Sequence, residues 1–135
     1  MKIFFAFLFV VNCAFATDYY VNSEIGNDNN NGTSSKRAWK TLWKVNQQIF
    51  KPGDHILFAA GNSFEGVLKP KGSGKEGAPI QIDKYGKGNN PVLNGNGWNE
   101  FTLLLYNVEY WEVRNLEITN QGKEPKAGRT VPLAQ

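Results

Sequence analysis

The sequence predicts an all-β chain wound as a solenoid, and three observations carry that expectation. Short apolar triplets (Ile56-Leu57-Phe58, Val67-Leu68, Ile80-Gln81-Ile82, Val92-Leu93) alternate with turns rich in Gly, Pro and Asn between residues 50 and 97. Such triplets are too short for helices and are bounded by helix breakers, so they read as strands. They also recur: Gln81 follows Leu57 by 24 residues and Leu104 follows Gln81 by 23, while Leu93 follows Leu68 by 25 and Val113 follows Leu93 by 20. A strand-and-turn period of this size is the signature of a coil that makes one turn per repeat.

With 135 residues the chain is long enough for one domain. Residues 1–16 read as a secretory signal peptide. Lys2 gives the positive start, residues 3–11 form an unbroken apolar run, and Ala14-Phe15-Ala16 is a small-x-small cleavage site before Thr17. The run is too short to span a bilayer, so no membrane span is expected. The single cysteine, Cys13, lies in this segment. After cleavage no disulfide or thiolate metal site is available. Val10-Val11-Asn12-Cys13 also loosely resembles a lipoprotein signal, although Asn12 stands where that signal has a small residue. The expected location is secreted or periplasmic, with a lipid anchor at Cys13 on the cell surface as the alternative.

Net charge is +3, of which Lys2 supplies one unit, and no basic block appears. Nucleic acid is therefore not an expected partner. Weak attraction to acidic polysaccharides is compatible with this charge. Aromatic residues make up 13% of the chain, with four Trp; flat rings serve both cores and sugar-binding faces.

The elements follow in order. Residues 18–21 (DYYV) are aromatic and β-branched and read as the first strand. Residues 26–33 (GNDNNNGT) are a loop, since Asn and Asp tolerate left-handed backbone and bond to nearby amides. Ser34 or Ser35 is placed to cap a helix over residues 36–48. Ala38, Leu42, Val45 and Ile49 form its apolar stripe, a surface suited to covering an open solenoid end. Lys51-Pro52-Gly53-Asp54 is a turn. Strands are expected over 56–60, 64–68, 79–82, 91–94, 101–106, 110–113 and 116–119, and residues 121–135 read as irregular.

The pieces YYVNSEIGNDNNNGTSSKRAWKTLWKVN, FKPGDHILFAAGNSFEG, GAPIQIDKYGKGNNPVLNGNG and YWEVRNLEITN together resemble the N-terminal portion of secreted right-handed parallel β-helix proteins, the pectate-lyase-like superfamily. The resemblance covers residues 18–120. It implies a right-handed parallel β-helix with an N-terminal amphipathic capping helix. It also implies a parent enzyme acting on polysaccharides, by lyase-type cleavage of uronate-containing glycans or else by glycoside hydrolysis. Members of that group carry their chemistry on middle coils, so this chain is expected to hold the signal peptide (1–16), the cap and first coils (17–120) and an irregular tail (121–135) marking a truncation point. Such a fragment would be inactive alone. The alternative function is a non-enzymatic carbohydrate-binding or surface-adhesion module.

Candidate chemistry is thin. Asn27, Asn29, Asn31 and Gly32 stand in an EF-hand-like register, but Ala38 takes the place of the closing Glu and Asp28 is the only carboxylate in the loop. The resemblance allows calcium in the parent family, but this loop offers no convincing calcium site; the cofactor is left unknown. The one histidine, His55, sits at a strand start and reads as a surface residue rather than a lyase base. Asp54, Glu65, Asp83, Glu109, Glu112 and Glu117 are available carboxylates, with Glu112 and Glu117 as possible neighbours across a bend, and no spacing singles out a glycosidase pair. Asn94, Asn107, Asn115 and Asn120 recur near strand ends, where ladders across coils are expected. Trp98, Tyr106, Tyr110 and Trp111 are the aromatics able to face a sugar, with Trp98, Tyr110 and Trp111 as the binding candidates; Tyr110 and Trp111 should face opposite sides of one strand.

Overall fold

A computed structural model describes residues 2–4 and 15–122 of the chain. The remainder of the expected signal peptide and most of the expected tail lie outside the described residues. The described residues form nine strands: β1 (Asp18–Val21), β2 (Ile49–Phe50), β3 (His55–Ala59), β4 (Ser63–Glu65), β5 (Lys71–Gly72), β6 (Ile80–Tyr85), β7 (Val92–Asn94), β8 (Trp111–Val113) and β9 (Glu117–Thr119). They form three short sheets of order β1-β3-β6-β8, β2-β5 and β4-β7-β9. Every pairing of named strands is parallel.

Alternation builds the core. In β3 and β6 Ile56, Phe58, Ile80 and Ile82 point inward, while His55, Leu57, Gln81 and Asp83 are half-exposed. The inward residues meet Val21, Trp39, Leu42, Val45, Phe50, Phe64, Leu68 and Leu93 in one apolar cluster. Aromatic rings tie it together. Tyr19 stacks on Trp39 with centroids 5.1 Å apart and meets Phe50 edge-on at 5.3 Å, and Phe58 meets Phe64 edge-on at 4.9 Å. Offset and edge geometries of this kind add to simple area burial.

The coarse class is as the sequence predicted: mostly β, with very little helix. The finer expectation needs correction. The sheets are short, and a solenoid is not established by them. The spacing is also uneven: Ile49 pairs with Lys71, 22 residues on, whereas Asp18 pairs with His55, 37 residues on. The apparent repeat mixed different sheets. Leu57 stands opposite Asp83 rather than Gln81, and Leu104 has no strand partner among the described residues. Leu93 pairs with Phe64 and Ile118, while Leu68 bridges Leu103. Leu68 and Leu103 make the one bridge of the expected 101–106 strand among the described residues, and the left-handed Asn107, φ 52, follows it.

The amphipathic capping helix expected over residues 36–48 is not present. A single 3₁₀ turn, Ser35–Arg37, is followed by extended backbone and then a six-residue helix α1, Leu42–Gln47. The reason is tertiary. Trp39 spends its backbone bonds on β1, with its N–H donating to Tyr20 and its carbonyl accepting from Asn22. The Asp28 carboxylate accepts from the Lys40 N–H (2.8 Å), the Thr41 N–H (3.0 Å) and the Thr41 hydroxyl (2.7 Å). A helix through residues 38–41 would break all of these bonds. Thr41 then caps α1 by accepting from the Lys44 N–H at 3.2 Å. Ile49, counted in the predicted stripe, is exposed.

The turn before β3 matches its sequence. The Asp54 N–H donates to Lys51 O at 3.0 Å and Gly53 has φ 85, the left-handed position that glycine takes without a Cβ clash. Asp54 itself is 2% exposed, and its carboxylate accepts from the Thr17 N–H (2.9 Å) and the Lys51 N–H (2.8 Å). It fastens the chain just before β1 to the β2–β3 turn. Nearby Tyr19 is shifted upward from the ordinary phenol value, first by burial and second by the Asp54 charge.

Candidate functional site

Three surfaces gather the residues that carry chemistry. The first is the outward face of the four-stranded sheet. Parallel register sets Asp18, His55, Gln81 and Glu112 side by side across β1, β3, β6 and β8. His55 Nδ1 lies 2.7 Å from Asp18 Oδ1, and the Gln81 amide donates to Glu112 at 3.2 Å. Arg114 pairs with the same Glu112 carboxylate. One step along, Asp83 accepts from the Asn115 amide (2.8 Å) and the Lys84 N–H (2.7 Å). Each of these carboxylates is committed to a neighbour. Glu112 and Glu117, considered as neighbours, belong to different sheets.

The second surface is the loop after β7, which presents Trp98. A net of amides holds this loop. Asn94 Oδ1 accepts from the Asn96 N–H at 2.9 Å and the Gln121 N–H at 3.0 Å. Asn120 Oδ1 accepts from the Gly97 N–H at 2.9 Å, its amide donates to Asn99 O at 2.8 Å, and Asn99 donates to Gly95 O at 2.8 Å. The buried Thr102 hydroxyl donates to Thr119 O at 2.6 Å and accepts from the Gly95 N–H at 3.1 Å. On this fixed base Trp98 is 90% exposed, beside a shallow concavity lined by Asn96, Gly97 and Gly122. Of the recurring asparagines, Asn94 and Asn120 thus bond backbone groups, while Asn115 bonds the Asp83 carboxylate. Asn107 and Asn115 serve as left-handed turn residues, φ 52 and 51.

Tyr110 and Trp111 differ in exposure, but not by strand alternation, because Tyr110 lies just outside the strand. Trp111 is half-buried, its indole N–H donating to Gly72 O at 3.0 Å and its ring edge-on to Phe50 at 6.1 Å. Tyr110 is exposed and precedes β8 with φ 56, a real outlier for an aromatic residue. Its backbone is held from both sides: Ile80 N–H donates to Tyr110 O at 2.9 Å, and Gly74 N–H donates to Glu109 O at 2.9 Å.

The third surface is a groove between α1 and two loops, lined by Asn46, Gln47, Lys69, Lys71, Tyr106 and Asn107. Asn46 fixes one wall, since its amide donates to Val67 O at 2.9 Å and its oxygen accepts from the Lys69 N–H at 2.7 Å. Lys69 Nζ lies 6.0 Å from the Tyr106 ring centre, and that ring is 65% exposed. Tyr106 was legible as a surface aromatic; Asn46 and Lys69 were not, because no motif marks a helix residue that reaches across to a loop 21 to 23 positions away.

The EF-hand-like register folds as turns. The Asn29 N–H donates to Asn27 Oδ1 at 2.9 Å, the Thr33 N–H to Asn31 Oδ1 at 3.0 Å, and Asp28 is occupied by residues 40 and 41. Among the described residues no three or more His, Cys, Asp or Glu side chains gather as a metal-holding group, and no helix is long and apolar enough to cross a membrane.

No family model matches the chain. Over 131 aligned residues it is 38% identical to a lacto-N-biosidase of Bifidobacterium longum subsp. longum, a match covering 77% of this chain and 8% of that protein. The chain is similar to lacto-N-biosidases. Two crystal structures of the GH136 lacto-N-biosidase of Eubacterium ramulus, a selenomethionine derivative and the native protein, superpose with TM-scores of 0.72 and 0.68 at 34% and 32% identity. Each match covers 84% of this chain and 22% of that one. The chain thus spans less than a tenth of the curated relative and about a fifth of the solved ones.

These relatives overturn the resemblance to the pectate-lyase-like superfamily, its parallel β-helix assignment, and lyase-type cleavage of uronate glycans. The relatives are glycoside hydrolases. The physical source of the error is plain. The matching pieces are turn glycines, asparagines and short apolar triplets, which report where a backbone bends and which side faces the core. Proteins of different chemistry share such features.

Proposed function

We propose that this chain forms a glycan-contacting scaffold of a glycoside hydrolase, with Trp98 as its principal sugar contact. The observation that carries the reading is an almost fully exposed indole on a loop fixed by Asn94, Asn99, Thr102 and Asn120. A large exposed aromatic on a rigid base is the arrangement that binding faces use. The similarity to lacto-N-biosidases supplies the ligand class, a glycan, and the reaction class, hydrolysis of a glycosidic bond. Export through the signal at residues 1–16, to a secreted or periplasmic location or to a lipid anchor at Cys13, belongs to this reading.

Glycoside hydrolysis calls for two carboxylates flanking the scissile bond. Asp18, Asp28, Asp54, Asp83 and Glu112 each hold a neighbouring group, and contact with the glycan is the role assigned here to the exposed rings of Trp98 and Tyr110. Tyr110 is the second contact, and Trp111 serves from beneath by holding the Gly72 backbone.

The test is binding of a lacto-N-biose-containing oligosaccharide to the purified protein, followed by calorimetry or ligand-observed NMR. Trp98→Ala should weaken binding about tenfold, the loss of one stacking contact, with the melting temperature unchanged. Binding indifferent to Trp98→Ala, or no binding at all, would sink the proposal.

A further inference from the structure

We infer that the groove between α1 and the Lys69–Tyr106 wall takes an anionic sugar residue, one bearing a carboxylate or a sulfate, separately from the Trp98 loop. The inference rests on the glycan-directed reading above and adds a second contact of different chemistry. Three observations meet there. Among the described residues the groove is lined by two lysines, Lys69 and Lys71, and by no carboxylate. Among the described residues neither lysine has an ion-pair partner. Between them in the chain sits the buried Pro70, whose φ is fixed by its ring and which also lines the groove.

The neighbours suit a sugar rather than a bare ion. Tyr106 offers an exposed ring, and Gln47 and Asn107 offer exposed amides that can donate to or accept from hydroxyl groups. Lys69 Nζ stands 6.0 Å from the ring centre, the outer limit of a cation–π contact, so the ammonium is close to the ring but not committed to it. An anionic group can draw it away while the sugar ring lies along the phenol. The wall is also set in advance. Asn46 bonds the backbone on both sides of Leu68, at Val67 O and at the Lys69 N–H, and Leu68 itself is fully buried. Little ordering is then left for the ligand to impose. With a net charge of only +3 over the whole chain, the pairing of two lysines in one groove is a local feature and not a reflection of overall charge.

The probes are sialylated lactose, sulfated lactose and neutral lactose, each added to the full chain and followed by ligand-observed NMR at low and at high salt. Both anionic sugars, or one of them, should bind more tightly than neutral lactose, and salt should erase the difference. The Lys69→Gln/Lys71→Gln double variant keeps most of each stem and should lose about fivefold or more of the anionic binding while leaving neutral binding alone. Tyr106→Ala should weaken anionic binding to the same order, with the melting curve as the check on folding. Equal binding of charged and neutral sugars, or a double variant that binds like the parent, overturns the groove. If saccharide binding is lost only in Trp98→Ala, the groove fails and the glycan-directed reading stands; if no saccharide binds at all, both fail.

Discussion

Removing the Asp54 carboxylate is the sharpest probe of how this chain is fastened. Each of its oxygens serves a different backbone donor, Thr17 at 2.9 Å and Lys51 at 2.8 Å, and the residue is 2% exposed. A hydrogen bond to a charged group contributes about 1.5–3 kcal/mol net. Two such bonds less the cost of keeping a carboxylate out of water leave a loss of about 2–4 kcal/mol for Asp54→Ala. At roughly 3–6 °C per kcal/mol for a chain between the small and large domain classes, the melting temperature should fall by about 6–24 °C. Asp54→Asn should not rescue it, because its NH₂ would face one of the two N–H donors and leave that donor unpaired. Urea unfolding followed by tryptophan fluorescence reads the loss directly, and an unchanged slope against denaturant shows that the same surface unfolds. A loss under about 1 kcal/mol for Asp54→Ala, or wild-type stability in Asp54→Asn, would refute the reasoning from these two bonds. The Asp54 charge also contributes to the raised Tyr19 phenol, so absorbance titration of either variant should show Tyr19 ionising at lower pH than in the parent.

Three further outcomes follow from the same contacts. Because the folded Tyr19 holds its proton more tightly than the unfolded chain does, its contribution to stability is fully present below about pH 10 and is lost as pH rises through the higher folded value; Tyr19→Phe should flatten the alkaline side of the stability profile. Gly32 has φ 75, and a Cβ there would come within 2.5 Å of the Trp39 indole, so Gly32→Ala should cost more than about 1 kcal/mol in urea unfolding and shift Trp39 emission. Asp28→Ala frees three donors at residues 40 and 41 and should lower stability by about 1–3 kcal/mol in the same assay, with no compensating gain in helical circular dichroism, since Trp39 stays bound to β1.

Legibility in the sequence followed the range of the forces involved. The triplets Ile56-Leu57-Phe58 and Ile80-Gln81-Ile82 and the Pro52-Gly53 turn are local signals of a few neighbouring residues, and strands β3 and β6 and the turn form there. The helix over 36–48 failed because its apolar stripe is a local signal, while Asp28 and β1 act on residues 38–41 from 12 or more positions away. The repeat failed for a related reason: loops of different length between strands shift which triplet pairs with which, so equal spacing picked partners from different sheets. At the surface, Trp98 could be named as an aromatic, but its fixed loop depends on Asn94 and Asn120 meeting around Gly95 and Gly97. The groove at Tyr106 depends on Asn46 crossing to the Lys69 wall. Family motifs misled about chemistry because turn glycines and strand triplets describe bends and not reacting groups.

The amino-acid order by itself settled that this is a β-rich chain with Gly-, Pro- and Asn-built turns, since backbone preference and inward-outward alternation act within a few residues. Strand partners, the truncated helix, the buried Asp54 clasp and the exposed rings were decided only when distant segments came together, because hydrogen-bond pairing and burial depend on neighbours in space that spacing along the chain does not specify.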